Sequence, residues 1–238
     1  MKLIWTYSEK LQKGKVNKSL EKEQIHQLYY KSIECGSKFY KTCVYTTVYG
    51  YEIFKGIVDE IVIVPESFKY TFLADLKFYV IEKERSPFIL IDGDLFIESE
   101  LKIDADCDFG VEYEITTDVP RQYLIYNKHF INEGIKSVLP YWENKHPSYN
   151  LGLIYVNNQT HLNELREDYL KVKEFYDTKI KPKYDLDQPS VTGAQYFFYL
   201  FCNHHKLKVD FFKQKNNYVH LEYDKKITYI GHNSRTLI

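Results

Sequence analysis

Two carboxylates, Asp92 and Asp94, stand two residues apart in Phe88-Ile89-Leu90-Ile91-Asp92-Gly93-Asp94-Leu95-Phe96-Ile97, enclosed by apolar runs on both sides. In extended chain, residues i and i+2 project to the same side, so the two carboxylates can converge. Gly93 between them lets the backbone bend and leaves room for a ligand. Like charges this close repel unless a cation joins them. A hard divalent ion with oxygen ligands, Mg2+ or Mn2+, suits such a pair and usually takes ligand phosphates as well. The plain alternative is a solvated turn after a buried strand. The apolar flanks and the strand–helix units that precede the pair favour the metal site.

Those preceding units must position the pair. Residues 2–7 read as a strand and residues 19–35 as a helix. Ser19 can cap that helix, Glu21 and Glu23 sit in its first turn, Ile25, Leu28, Tyr29 and Ile33 share a face, and Gly36 ends it. A β-branched strand follows at 42–48, a short helix at 51–57, and an apolar strand at 60–64 stopped by Pro65. Helical spacing returns over 70–84 through Phe72, Leu73, Leu76 and Val80, and 88–91 is again a buried strand. Alternating strands and helices predict an α/β fold with a mostly parallel sheet covered on both faces. In such sheets ligands bind beyond the carboxyl ends of the strands, where Asp92 and Asp94 fall.

The second half is less regular. It predicts a strand from Cys107 to Glu114, a helix opened by Pro120 and running toward Gly134, and a strand at 151–156. An amphipathic helix over 160–178 runs through Leu162, Leu165, Tyr169, Val172 and Tyr176. After a polar loop from Lys179 to Pro189 come an aromatic-rich helix at 191–203 and short strands at 207–212 and 217–221. No internal repeat and no long linker divides the chain, so residues 1–238 read as one domain.

Composition narrows the function classes. The chain has 238 residues, 44% hydrophobic and 27% charged, which excludes wholesale disorder. Its net charge of -1 argues against a strongly basic nucleic-acid footprint. No apolar run is long enough to span a bilayer, and the short stretch at Met1–Ser8 is too brief for a signal-peptide core. Cys35, Cys43, Cys107 and Cys202 form no C-x-x-C pair, and four scattered thiols fit a reducing cytoplasm. Aromatics at 17% fit either a stacking surface or the codon bias of an AT-rich genome, and the second reading needs no function.

On these residues the chain resembles glycosyltransferases of the GT-A fold, nearest to the glycogenin-like and bacterial galactosyltransferase-like members. Their DxD motif holds a divalent metal and the diphosphate of a nucleotide sugar. Asp92-Gly93-Asp94 matches that motif at the usual distance from an N-terminal β-α-β-α-β half. Ala74, Asp75 and Lys77 lie on the preceding helix, where related enzymes place groups near the nucleoside. Tyr149-Asn150-Leu151-Gly152-Leu153 resembles their N-x-G strand. His220-Leu221-Glu222-Tyr223-Asp224-Lys225-Lys226 resembles their C-terminal H-x5-K element.

The resemblance implies residues 1–100 as a nucleotide-binding half and 101–238 as an acceptor half. It implies Asp92, Asp94 and His220 as ligands of Mn2+ or Mg2+, with Tyr7, Asp75, Lys77, Asp92, Gly93, Asp94, Asn150, Gly152 and Lys226 around the donor. It also implies partners: a UDP-sugar and a glycan, lipid or protein hydroxyl acceptor. Asp187 is a candidate base and Gln195 a candidate polar contact under the sugar.

The family's Gly and Pro-Trp around the Lys are missing here, and the helix that often begins Asp-Gln reads Gly193-Ala194-Gln195. His220 also reads as a strand histidine bonded to a neighbour, His232 is a competing ligand, and Lys225-Lys226 reads as a solvated pair. Two other classes share the pattern. One is a catalytically inactive GT-A-like binding or structural protein. The other is a haloacid-dehalogenase-like phosphatase, whose motif normally lies near the chain's beginning.

Overall fold

A computed structural model describes residues 1–9, 22–70, 72, 74–116, 121–143, 147–158, 160–184, 189–213 and 215–221. The expected capping residue Ser19 and the helix opener Pro120 lie outside the described residues.

The elements of the first half are β1 (Lys2–Tyr7), α1 (Lys22–Gly36), β2 (Lys41–Thr46), α2 (Val48–Phe54), β3 (Glu60–Ile63), α3 (Asp75–Lys83) and β4 (Phe88–Ile91). After β4 come β5 (Leu95–Ile97), β6 (Phe109–Ile115), α4 (Arg121–Asn132), β7 (Ser148–Val156), α5 (Leu162–Phe175), α6 (Pro189–His204), β8 (Val209–Phe211) and β9 (Tyr218–His220). Seven strands form one sheet in the order β3-β2-β1-β4-β7-β6-β8, and β5 pairs with β9 in a second, two-stranded sheet. The first four strands of that order run parallel, as does β6 with β8, while β7 is antiparallel to both β4 and β6. The expected α/β architecture, a mostly parallel sheet with helices on both faces, is the one observed.

β4 shows why. Phe88 and Leu90 point into one buried cluster with residues of α3, α4, α5 and α6, while Ile89 and Ile91 point into another with residues of α1, α2 and β5. A strand buried on both faces needs apolar residues at every position, and each such side chain contributes about 1.5–3 kcal/mol.

Several boundaries differ from those the sequence suggests. The short helix begins at Val48, earlier than expected, because the Thr47 hydroxyl accepts from Gly50 N and caps it. The next helix begins at Asp75, later than expected. The Asp75 carboxylate accepts from Phe72 N and closes a turn there, so Phe72 is buried from outside the helix. The long helix of the second half passes into a π-helical turn at Tyr176–Ile180. Cys35, Cys43, Cys107 and Cys202 are free thiols. Among the described residues no helix is long and apolar enough to cross a membrane.

Candidate functional site

The chain leaves β4 at the carboxyl edge of the sheet and turns at once. Asp92 N donates to Gly152 O at 2.8 Å, Leu95 N to Asp92 O at 3.2 Å, and Leu221 N to Asp94 O at 3.0 Å. These bonds tie the turn to β7 on one side and to the end of β9 on the other. From below, the buried Ser32 of α1 accepts from Trp5 Nε1 at 2.8 Å and donates to Leu95 O at 2.5 Å. No side chain fits at position 93. A Cβ there would stand 2.5 Å from the ring of Tyr29, whose hydroxyl donates to Thr6 O at 2.8 Å.

In β5–β9, Leu95 is opposite His220. This pairing brings a histidine from the far end of the described chain to the two carboxylates. One ligand atom each from Asp92, Asp94 and His220 lie within 4.8 Å of one another. His220 Nε2 is 3.5 Å from Asp94 Oδ1. Its Nδ1 faces both oxygens of Glu112, at 2.9 and 2.8 Å. Burial alone would lower the His220 pKa, but the hydrogen bonds and negative charges of Asp94 and Glu112 outweigh it and push the value up to about 10. Lys77 of α3 reaches the same place. Its Nζ is 2.6 Å from Asp92 Oδ1 and donates to Leu151 O.

The donor set fits a divalent cation. One imidazole nitrogen and two carboxylate oxygens converge; the carboxylates suit hard divalent ions such as Mg2+ and Mn2+, and imidazole is a common ligand of first-row divalent metals. The charges agree: three carboxylates (Asp92, Asp94 and Glu112) face Lys77 and a protonated His220. Exchange of the His220 proton for a divalent ion would make this group neutral. Asp92 and Asp94 are partly exposed, so solvent reaches both carboxylates.

Of the other residues singled out from the sequence, Gly152 adjoins the cluster. A Cβ there would be 2.6 Å from both Glu112 Oε2 and His220 Cε1. The Asn150 side chain accepts from Gly152 N at 2.8 Å and donates to Tyr113 Oη at 3.1 Å, so it shapes the strand beside the cluster. Tyr7 is buried at the end of β1, its hydroxyl 2.9 Å from His26 Nε2. Asp75 and Lys77 lie two residues apart on a helix, about 200° around its axis, and point to different neighbours. Asp75 is held by Tyr169 Oη at 2.7 Å and Lys173 Nζ at 2.9 Å, both on α5. Gln195 is half-buried on α6. Asp187, Lys225, Lys226 and His232 lie outside the described residues.

Glu112 is the site residue that the sequence reading missed. Its signal was present: a lone carboxylate in the apolar run Phe109-Gly110-Val111-Glu112 demands a partner if the strand is buried.

No protein-family model matches this sequence, and no curated protein matches it. Among solved structures, the apo form of mouse xyloside xylosyltransferase 1 is 10% identical with a TM-score of 0.42, the match covering 89% of this chain and 85% of that one. The PaToxG glycosyltransferase is 15% identical with a TM-score of 0.46, over 86% of this chain and 71% of that one. The inositol-1-phosphate CTP transferase of T. maritima is 10% identical with a TM-score of 0.44, over 96% and 95%.

Proposed function

We propose that this chain is a metal-dependent glycosyltransferase of GT-A type, which moves a sugar from a nucleoside diphosphate sugar, UDP-sugars favoured, to a hydroxyl acceptor. The observation that carries this reading is the convergence of Asp92, Asp94 and His220 at the carboxyl edge of a mostly parallel sheet. The UDP preference comes from the sequence resemblance.

Asp92, Asp94 and His220 would hold Mn2+ or Mg2+, whose positive charge stabilises a departing diphosphate. The chain's own groups prepare this. Lys77 fixes one oxygen of Asp92. The Tyr29 ring packs directly against Gly93, in the turn between the two carboxylates. Breaking the glycosyl–phosphate bond leaves negative charge on the diphosphate, and Lys226 is the proposed second cation there. The acceptor hydroxyl must lie against the anomeric carbon and lose its proton. Asp187 is the proposed base if the anomeric centre inverts, and the leaving phosphate takes the proton if it is retained. Gln195 is the proposed contact under the sugar. Residues 1–100 would bind the nucleotide and 101–238 the acceptor. The unpaired thiols fit work in the cytoplasm.

The test is turnover. A panel of UDP-, GDP- and CDP-sugars is incubated with Mn2+, and nucleoside diphosphate release is followed with and without simple glycan acceptors. Release that requires Mn2+ and is lost in Asp94→Asn supports the reading. Metal-dependent UDP binding with no release from any donor supports an inactive binding protein instead.

A further inference from the structure

We infer that Glu112 is the positioning residue of the proposed metal site: it fixes His220 through Nδ1 so that Nε2 is the atom presented to Asp94 and Asp92. The inference rests on the metal reading above and deepens it.

Glu112 is buried at 1% exposure in β6, a strand of the central sheet. A carboxylate held that deep is costly unless paired. Both its oxygens meet a single atom, Nδ1 of a residue 108 positions further along the chain. The backbone is shaped for the encounter. The β6–β7 register shifts between Val111 and Tyr113, the place of Glu112. Such irregularities re-aim a side chain beside a site. Opposite stands Gly152, and any side chain there would meet both Glu112 and the His220 ring. Three separate features of the sequence therefore serve one contact.

The contact decides which nitrogen can ligate. A histidine binds a metal through the nitrogen that carries no proton, and the hydrogen bond made by the other nitrogen sets which that is. Glu112 can only accept from Nδ1–H, so the lone pair falls on Nε2, the nitrogen on the Asp94 side. Ligating histidines commonly donate their other N–H to a carboxylate, and loss of that partner weakens metal affinity about 10- to 100-fold.

The test measures Mn2+ binding to the purified full chain by the electron paramagnetic resonance signal of free Mn2+. The variants are Glu112→Gln, His220→Ala, their double mutant and Asp94→Asn. Glu112→Gln keeps the shape of the side chain and removes its charge. Its Mn2+ affinity is expected to fall at least tenfold. In the His220→Ala background the same change is expected to add nothing, because Glu112 acts through His220. A merely structural role would not produce that coupling.

Equal Mn2+ affinity in Glu112→Gln and parent, with Asp94→Asn impaired, overturns the positioning role and leaves the metal site standing. So does an undiminished effect of Glu112→Gln in the His220→Ala background. If Asp94→Asn binds Mn2+ as well as the parent, the metal reading fails and this inference with it. Should Glu112→Gln not fold, Glu112→Asp keeps the charge and withdraws it by one methylene. It must then weaken Mn2+ binding in the parent and not in His220→Ala.

Discussion

Replacing Gly152 by Ala adds one methyl group, and the structure shows where that methyl goes. Its carbon would stand 2.6 Å from Glu112 Oε2, 2.6 Å from His220 Cε1 and 3.1 Å from Asn150 Oδ1. Ordinary contact needs about 3.5 Å, so both members of the Glu112–His220 pair must retreat by roughly 1 Å. Neither has a free end to move. Glu112 is buried in β6 and bonded through both oxygens, and His220 is a rigid ring on a strand paired to β5. Overpacking of this kind costs about 1–3 kcal/mol, which lowers Tm by roughly 2–12 °C in a chain of this size. The effect on metal should be larger in proportion. Metal–ligand distances tolerate errors of about 0.2 Å, so a displaced imidazole should weaken Mn2+ binding at least tenfold. Differential scanning calorimetry with chelator, and again with Mn2+, reads both effects. An unchanged Tm together with unchanged Mn2+ affinity would refute the close packing of Gly152 against the pair, and with it the geometry proposed for His220.

Three further outcomes are expected. His220 binds its proton more tightly in the folded chain than in the unfolded one, with a pKa of about 10 against an ordinary 6.5, so its stabilising contribution is complete below about pH 6.5 and fades as pH rises through 10. Melts in chelator between pH 6.5 and 10 should lose at most a few kcal/mol, and His220→Ala should flatten that slope; an equally steep slope in the variant would refute the assignment. Mn2+ affinity should move the opposite way and rise with pH, because ligation expels the same proton; isothermal titration at pH 6.5 and 8 checks it. Ser32→Ala leaves Trp5 Nε1 and Leu95 O without their buried partner, and chemical denaturation should register a loss of about 1–3 kcal/mol.

The parts of this molecule set by local chemistry were legible in the sequence. The central strand announces itself because burial on both faces requires Phe88-Ile89-Leu90-Ile91 to be apolar throughout, and the break to Asp92-Gly93-Asp94 marks the sheet's edge. The helix boundaries shifted where one side chain chose the starting point: Thr47 by capping, Asp75 by accepting from Phe72 N. Periodicity is insensitive to such bonds. What joins His220 to the carboxylates is a pairing of three-residue strands, β5 with β9, too short to carry a pattern of its own. Glu112 was overlooked for a related reason. Its partner lies 108 residues away, and only the register shift between β6 and β7 and the lack of a side chain at Gly152 let the two meet. Asp75 and Lys77 looked equivalent by position, yet the turn of the helix sends one to α5 and the other to Asp92.

The measurement that bears most directly on the central claim is calorimetric titration of UDP into the protein with and without Mn2+, for the parent and for Asp94→Asn. The substitution keeps the volume of the side chain and removes its charge. The parent is expected to bind UDP only when Mn2+ is present, and Asp94→Asn to lose most of that binding while melting as a folded protein. UDP binding that ignores Mn2+, or that is equal in parent and variant, would contradict the claim that Asp92, Asp94 and His220 form a metal site for a nucleoside diphosphate.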